Sequence, residues 1–554
     1  MQEVYKLSPV DRVSLVQQLV SKNEVPSRPI QCINCGVDLE GSEENYTTAL
    51  LLTSGIVELE VSSRKCSKCK SLNPIDGIQA CLINMGNYMV CHEILRKYLY
   101  YFLSGRSTIF TEYSTLKLFY EDQGILDFSN KFSYNNFKWS WYAFLELLEI
   151  DYETGFECPD CGEDPDTLIM DATSVSFRKE LASWSVLENL QNPPKPSKRD
   201  KTRNQERTFL SKPLCNFLSS LVSKGGVEKS RWPLFLSQLE EECPVVVPLM
   251  KVIQETDGIL IKGEKMYYIG LWQDFLRCLA SSYPFCSFIT TSDEVHNVLK
   301  RMCNPDFAKN DTDVSILQHN VPVIFHLMMN LHDSFPRKEF CNMLDAMIVK
   351  SLSPFDTSTE VLDNGAVSEN ISHFPSLAIK RGRGSFSADK QIFKNQCSKS
   401  STGHPSLLPG VFTLFCKHGV CYGFEVMKYH ESPNVPFTIL RSRFQKAPSL
   451  VVYDNACNLH TYCLNRDPLF FKDTQFRVDA LHFRNHKACG PSYELKGYPQ
   501  HQSLNSQVVE QSNARLQRIK SQLSYMTQNN FMSHCKFYLW AQNRKIVVKN
   551  ANSI

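Results

Sequence analysis

Apolar positions change their period several times along the chain, and each change marks an element. Val13, Leu15, Val16 and Leu19 form a rough helical stripe that Pro26 and Pro29 close. Thr47–Val61 alternates in the manner of β-strands. Residues 76–150 are rich in aromatics, and Cys91–Leu103 and Phe137–Leu148 carry them at helical spacing. That spacing reads as a helical core, with base stacking as the alternative. Leu168–Phe177 (LIMDATSVSF) reads as a buried strand running into polar residues. Helical patterns such as Trp272–Leu279 and Val321–Leu331 fill 209–355. From 406 the pattern turns to β and then α/β. Val411–Phe415 and Val420–Met427 flank Cys416-Lys417-His418-Gly419 as a hairpin. A helix over Pro436–Phe444, a strand over Ser449–Asp454, a helix from Ala456 to Cys463 and a strand over Phe476–Phe483 follow. The chain closes on a long amphipathic helix, Asn505–Met526, with Val509, Leu516, Ile519 and Leu523 on one face.

Two polar stretches interrupt these patterns. Asn192–Thr208 carries Lys195, Lys198, Arg199, Lys201, Arg203 and Arg207 against Asp200 and Glu206, a local charge of +4. The second, about 356–405, contains Lys380, Arg381 and Arg383 in a KRGRG run, and 380–399 carries +5 (six basic residues against Asp389). Such runs are solvated linkers unless the chain handles nucleic acid, in which case they follow phosphates. The candidate phosphate contacts are Lys198, Arg199, Lys201, Arg203, Lys380, Arg381 and Arg383. The whole chain is nearly neutral, with 60 Lys+Arg against 58 Asp+Glu, so a nucleic-acid site has to be a local patch. Hydrophobic residues at 42% and charged residues at 21% exclude global disorder and a coiled-coil rod. No run approaches the ~18 apolar residues of a membrane span, and the first 21 residues lack an uninterrupted signal-peptide core. The expectation is a soluble intracellular protein.

The acids carry the catalytic reading. With 209–405 set aside, the order is a strand bearing Asp171, a hairpin, a helix, a strand ending in Asp454, a helix, a strand, and a helix with Glu510 near its start. This is the β1-β2-β3-α-β4-α-β5-α order of an RNase H-like fold, whose first and fourth strands are neighbours. Asp171, Asp454 and Glu510 can then share two Mg²⁺ (or Mn²⁺) ions about 3.5–4 Å apart, the hard oxygen donors that two-metal phosphoryl transfer needs. Each Asp taken alone reads equally as a strand-end or capping residue.

The chain has 21 cysteines, an odd number, and several stand in CxxC pairs, a spacing that reads as zinc in a reducing compartment. Cys32-x2-Cys35 and Cys66-x2-Cys69 flank the β-type stretch and form a zinc-ribbon-like set. Cys158-x2-Cys161 precedes the Asp171 strand. Strands one and two are antiparallel, so the hairpin after strand two turns at the end where strand one begins. That places Cys416 and Cys421 as the remaining ligands of a Cys₄ site, with His418 in reserve; unlinked buried thiols are the alternative. A third set, Cys457, His482, His486 and Cys489, gathers near Asp454 and is read as Cys₂His₂. The rival readings are DNA contact by His482 or His460, and ordinary hydrogen-bonded histidines.

The stretches GVFTLFCKHGVCYGFEVM, VVYDNACNLHTYC, VDALHFRNHKACG and NSQVVEQSNARLQRIKSQLSYM resemble the Kyakuja–Dileera–Zisupton (KDZ) transposases and host proteins derived from them. CINCG…CSKCKS is similar to the cysteine clusters that accompany them. The resemblance covers about 155–180 and 406–545. It implies an RNase H-like DDE core with the triad Asp171, Asp454 and Glu510, Mg²⁺ and Zn²⁺ as cofactors, DNA as partner, a homodimer or higher assembly, and the nucleus as location. The helical insert here falls between the first and second Asp, and no separate DNA-binding domain is read ahead of the cysteine module. The resulting organisation is α/β: an N-terminal helix and linker (1–29), a cysteine cluster (30–75), an aromatic helical region (76–150), a first core segment (151–180), a helical insert with basic linkers (181–405) and a second core segment (406–545). The leading function is cleavage and strand transfer of DNA. The alternatives are a non-catalytic DNA- or chromatin-binding scaffold and a nuclease that cuts without joining.

Overall fold

The structure, a computed structural model, describes residues 30–182, 210–268, 293–352, 371–383, 404–486 and 493–551, apart from scattered short gaps within these ranges. The helix expected within 1–29, the 192–208 linker with Lys198, Arg199, Lys201 and Arg203, the Trp272–Leu279 pattern, most of Val321–Leu331, and Cys489 lie outside the described residues. The chain divides into two units. The first takes residues up to Asp151 with a short piece at Arg518–Gln522, and the second takes the rest.

In the first unit, β1 (Glu43–Leu52) and β2 (Gly55–Lys65) form a long hairpin in register from Glu43↔Arg64 to Leu52↔Gly55. With β3 (Leu72–Pro74), β4 (Leu82–Asn84) and β5 (Tyr88–Cys91) they make a sheet of order β3-β2-β1-β5-β4. Helices α1 (His92–Ser104), α2 (Ile109–Asp122) and α3 (Tyr134–Leu147) follow. Thr108 and Ser133 cap the last two by accepting N–H bonds from Thr111 and Asn136, so each start is written in the sequence. The aromatics of this stretch are mainly core. Tyr98, Phe102, Trp141 and Phe144 are fully buried, and Tyr98 meets Trp141 edge-on at 4.6 Å.

The second unit holds a six-stranded mixed sheet. Its strands are β6 (Thr167–Thr173), β7 (Gly410–Cys416), β8 (Cys421–Met427), β9 (Leu450–Tyr453) and β10 (Gln475–Arg477), with the two residues Ser372–His373 on the outer edge of β8. The spatial order is β8-β7-β6-β9-β10. β7 runs antiparallel to both β6 and β8, while β9 is parallel to β6 and β10 is parallel to β9. The sheet is interleaved with α4 (Asn434–Arg443) and α5 (Ala456–Arg466) and followed by α6 (Val508–Gln517) and α7 (Gln528–Ala551). β6 is hydrogen-bonded on both sides and reads LIMDAT with buried Leu168, Ile169 and Met170, as a central strand must. One face packs Leu168, Met170, Phe412, Leu414, Tyr422, Val451, Tyr453, Phe476 and Val478 into a single core. Each such large side chain contributes ~1.5–3 kcal/mol on burial.

The insert between β6 and β7 has its own core, built on Leu218, Trp232, Phe235, Leu239, Met250, Val298 and Phe340. Its helices include Lys212–Val222, Trp232–Glu242 and Arg337–Leu352, and a small three-stranded sheet accompanies them. Among the described residues no helix is long and apolar enough to cross a membrane.

Two expectations are corrected. The run Phe476–Phe483 is a strand only over Gln475–Arg477, because Asp479 caps a short helix at Ala480–Phe483 by accepting from Leu481 N and His482 N. The run Asn505–Met526 is two helical pieces, Val508–Gln517 and Lys520–Leu523, rather than one helix. Ile519 and Leu523 remain fully buried. The apolar stripe records burial, which a break in the helix does not disturb. The pairing of β6 with β7 depends on Gly410, at φ +151, where an added Cβ would stand against the carbonyl of Thr173. Gly410→Ala should destabilise the second unit by about 1–3 kcal/mol, read as a lowered melting temperature with an unchanged transition for the first unit.

Candidate metal centres

The first centre is built by two matching turns. Gly36 N and Lys70 N donate to the carbonyls of Cys32 and Cys66 at 2.8 and 3.0 Å, and both residues take positive φ. Each CxxC thus closes into a knuckle that turns both sulfurs inward. Cys32 and Cys69 Sγ lie 3.4 Å apart, Cys35 and Cys66 3.5 Å, and Cys35 and Cys69 3.7 Å. A tetrahedron with Zn–S of about 2.3 Å needs sulfurs about 3.5–4 Å apart. A hydrogen bond from Ser71 holds the Cys32 thiol down to about 5, which favours the thiolate that binds metal.

The second centre joins distant segments. Cys158, Cys161, Cys416 and His418 offer ligand atoms all within 4.8 Å of one another. His418 Nδ1 is 3.3 Å from Cys158 Sγ and 3.2 Å from Cys161 Sγ. The sequence reading named Cys421 here and held His418 in reserve; His418 takes the place instead. The register explains the exchange. Cys421 pairs with Phe415 after an irregularity at Leu414/Phe415, so it shares the face of Phe415. Successive strand residues face opposite ways, and Cys416 points with Phe412 and Leu414 into the core. Cys421 Sγ contacts the carbonyl of Gly423, and burial pushes its thiol up to about 12.

The acidic centre follows from register and alternation. Met170 pairs with Tyr453, and Arg477 with Val452. Continuing the first ladder by one residue and the second by two sets Asp171, Asp454 and Asp479 at one level across three adjacent parallel strands. Met170, Tyr453 and Val478 face the core described above; their successors Asp171, Asp454 and Asp479 therefore face the other side. Helix α6 covers that side. Gln517 donates to Thr173 at 3.1 Å, and Asn513 shares a 3.1 Å bond with Thr413, the partner of Asp171 in β7. Glu510 stands about one turn before Asn513, ~4.5 Å further along the helix axis. Asp171, Glu431 and Asp454 form one group of donors within 4.8 Å, and Asp479, His482 and Glu510 form another. The two are in electrostatic contact: hydrogen bonding to Asp479, reinforced by the charges of Glu510 and Asp171, raises the pKa of His482. Burial raises that of Glu510, and the Asp479 charge adds to it. Burial alone would raise Asp479 too, but hydrogen bonds from His482 and the helix N–H groups outweigh it and hold it low. His482 Nδ1 lies 3.1 Å from Asp479 and 3.7 Å from Glu510. Tyr453 OH donates to Glu431 at 2.7 Å.

Glu431 and Asp479 were missed in the sequence. Asp479 obeys the strand-end rule that selected Asp454, but the run around it reads as continuing strand. Glu431 sits in the loop after β8, where no periodicity marks it.

Of the third cysteine–histidine set, the structure brings Cys457 and His486 together and places His482 elsewhere, while Cys489 lies outside the described residues. Cys457 Sγ is 3.6 Å from His486 Nδ1, and His486 Nε2 donates to the Asp454 carbonyl at 2.8 Å. His482 instead belongs to the acidic centre, because Asp479 at the helix start draws it there. His460 is buried, stacked on Phe476 and bonded to Tyr493 at 3.0 Å; burial holds it down to about 3 and keeps it neutral. It faces the core. In the KRGRG run, Lys380 is exposed, Arg381 bonds the Gln445 carbonyl and lies over Phe470, and Arg383 bonds Thr438, Asn434 and Tyr462. Both guanidinium groups thus dock on α4 and its surroundings.

Residues 395–543 match the family model described as Kyakuja-Dileera-Zisupton transposase, which bears out the resemblance read in the sequence and gives this stretch a transposase-related role. No curated protein and no solved structure matches the chain. The matched stretch contains β7 to β10, α4 to α6 and every acid of the centre except Asp171, which β6 brings from upstream.

If the N-terminal cysteines hold one ion, Cys66→Ser should lower bound zinc by one per chain, measured by elemental analysis of the purified protein. The same variant should show a lower melting temperature in the first unit.

Proposed function

We propose that the second unit is an RNase H-like transposase core that cleaves DNA phosphodiesters and joins the resulting 3′-hydroxyls, using Mg²⁺ or Mn²⁺ at the acidic centre. The observation that carries this reading is the row of Asp171, Asp454 and Asp479 across three parallel strands, faced by Glu510 from α6 and joined by Glu431. The strand order β8-β7-β6-β9-β10, with β7 antiparallel to the rest, supports the RNase H-like reading. Carboxylates crowded within 4.8 Å repel one another, and a hard divalent cation offsets that repulsion. Bound there, the metal supplies Lewis acidity for the attacking and leaving oxygens of the phosphodiester.

The chain's own residues divide the remaining work. Asp171, Asp454 and Glu431 provide one set of oxygen donors, and Tyr453 fixes the Glu431 carboxylate by its hydrogen bond. Glu510 supplies the second set from the helix. Asp479 spends its oxygens on the N–H groups of Leu481 and His482 and on the His482 ring, so its role is to orient His482 toward Glu510 and Asp171. The cysteine centre of the first unit is a zinc-binding module. DNA, as the substrate, meets Lys198, Arg199, Lys201 and Arg203 through its phosphates, while Arg381 and Arg383 are held by contacts within the chain.

Purified full-length protein should nick plasmid DNA in Mg²⁺ or Mn²⁺. Asp454→Asn should reduce the rate roughly 10³-fold, the loss of several kcal/mol of transition-state stabilisation, and Glu431→Gln should weaken Mn²⁺ binding measured by electron paramagnetic resonance. DNA binding without any metal-dependent nicking would instead make the chain a scaffold. Neutralising Lys198, Arg199, Lys201 and Arg203 together should weaken binding to all DNA sequences alike and flatten its salt dependence by up to about 3–4 in log–log slope. An unchanged slope would mark that stretch as an inert linker.

A further inference from the structure

We infer that Cys158, Cys161, Cys416 and His418 bind a structural Zn²⁺ that clasps the start of β6 to the β7–β8 turn. The clasp is separate from the acidic centre: it lies at the end where β6 begins, while the carboxylates lie toward the end where the parallel strands finish. Cys416 pairs with Leu168, three residues before Asp171, a distance of roughly 10 Å along the strand.

The donor set fits zinc. Three thiolates and one imidazole suit a closed tetrahedral Zn²⁺ site and are too soft for Mg²⁺. Tetrahedral Zn–S and Zn–N bonds of about 2.3 and 2.0 Å set S···N at roughly 3.5 Å, against the 3.3 and 3.2 Å seen at His418. The four donors come from two turns already held without the ion. Cys161 N and Gly162 N donate to the Cys158 carbonyl at 3.1 and 2.9 Å, with Gly162 at positive φ, which is the same knuckle as in the N-terminal centre. Gly419 N donates to the Cys416 carbonyl and Cys416 N to that of Val420, both at 3.0 Å. Tyr422 ties the two turns together: its hydroxyl accepts from Cys158 N at 3.3 Å and donates to the Gly162 carbonyl at 2.6 Å. The ligands that meet here are 257 and 260 positions apart in the chain. A metal is well suited to such a junction, because closing a long loop is an entropic cost that a cross-link removes.

The test is elemental analysis of the full-length protein and of three variants. Cys161→Ser and His418→Ala should each lose one zinc per chain, while Cys421→Ser, whose sulfur faces away, should lose none. Unchanged zinc in the first two variants, or loss of one zinc in Cys421→Ser alone, overturns the clasp. Because those variants can fail to fold, a second measurement uses the unaltered protein. Cys161 is only partly buried, so peptide mapping after brief N-ethylmaleimide treatment should find it protected, and exposed to alkylation after a strong chelator. Equal alkylation with and without chelator refutes the site. Neither readout involves DNA cleavage, so the clasp stands or falls apart from the proposed function.

Discussion

Strand β6 is hydrogen-bonded antiparallel to β7 and parallel to β9, and the registers of those two ladders set most of what the second unit can do. Fixing Cys416 against Leu168 brings the hairpin turn to the Cys158 knuckle. Fixing Tyr453 against Met170 brings Asp454 level with Asp171. A slip of one residue in either ladder would turn every side chain of the moved strand to the opposite face, burying an aspartate in the core of Phe412, Leu414 and Tyr453. The apolar face therefore enforces the position of the charged one. β6 and its partners are separated by an insert with its own core, so this register is set by side-chain burial and not by a short connection.

The charged face is costly to hold together. Asp171, Glu431 and Asp454 sit within 4.8 Å, and Glu510 and Asp479 stand beside them. Some of the charge is offset inside the chain: Asp479 takes helix N–H bonds and His482, and Glu431 takes the Tyr453 hydroxyl. What is left is a set of oxygen donors whose mutual repulsion a divalent cation relieves. The cysteine centres answer a different need. Each consists of CxxC knuckles or turns with backbone bonds already in place, so a metal would cross-link preformed pieces.

Local signals carried much of this. The hairpin of β7 and β8, the buried strands with Asp171 and Asp454, the helix with Glu510 and the paired CxxC knuckles were legible because period-two runs, strand-end acids and fixed cysteine spacing report on neighbours within a few residues. The resemblance of 406–545 to KDZ transposases was legible for the same reason, and the family match, over residues 395–543, covers nearly all of that stretch. Asp479 was hidden because strand and short capped helix share an apolar pattern over FRVDALHF. Glu431 was hidden because a loop residue has no period. The place of His482 beside Asp479 and Glu510 was hidden because sequence proximity to His486 says nothing about where a capping Asp turns the ring.

The sequence by itself determined most of the strands and helices and which residue types can bind metal, because both depend on local pattern and side-chain chemistry. Only the tertiary structure decided which donors meet. Cys421 and His418 are three residues apart and both can ligate zinc; an irregularity at Leu414/Phe415 and the register that follows it turn one toward Gly423 and leave the other at the turn beside Cys158 and Cys161. Ligand choice here is a matter of strand face, and strand face is fixed by pairing with residues hundreds of positions away.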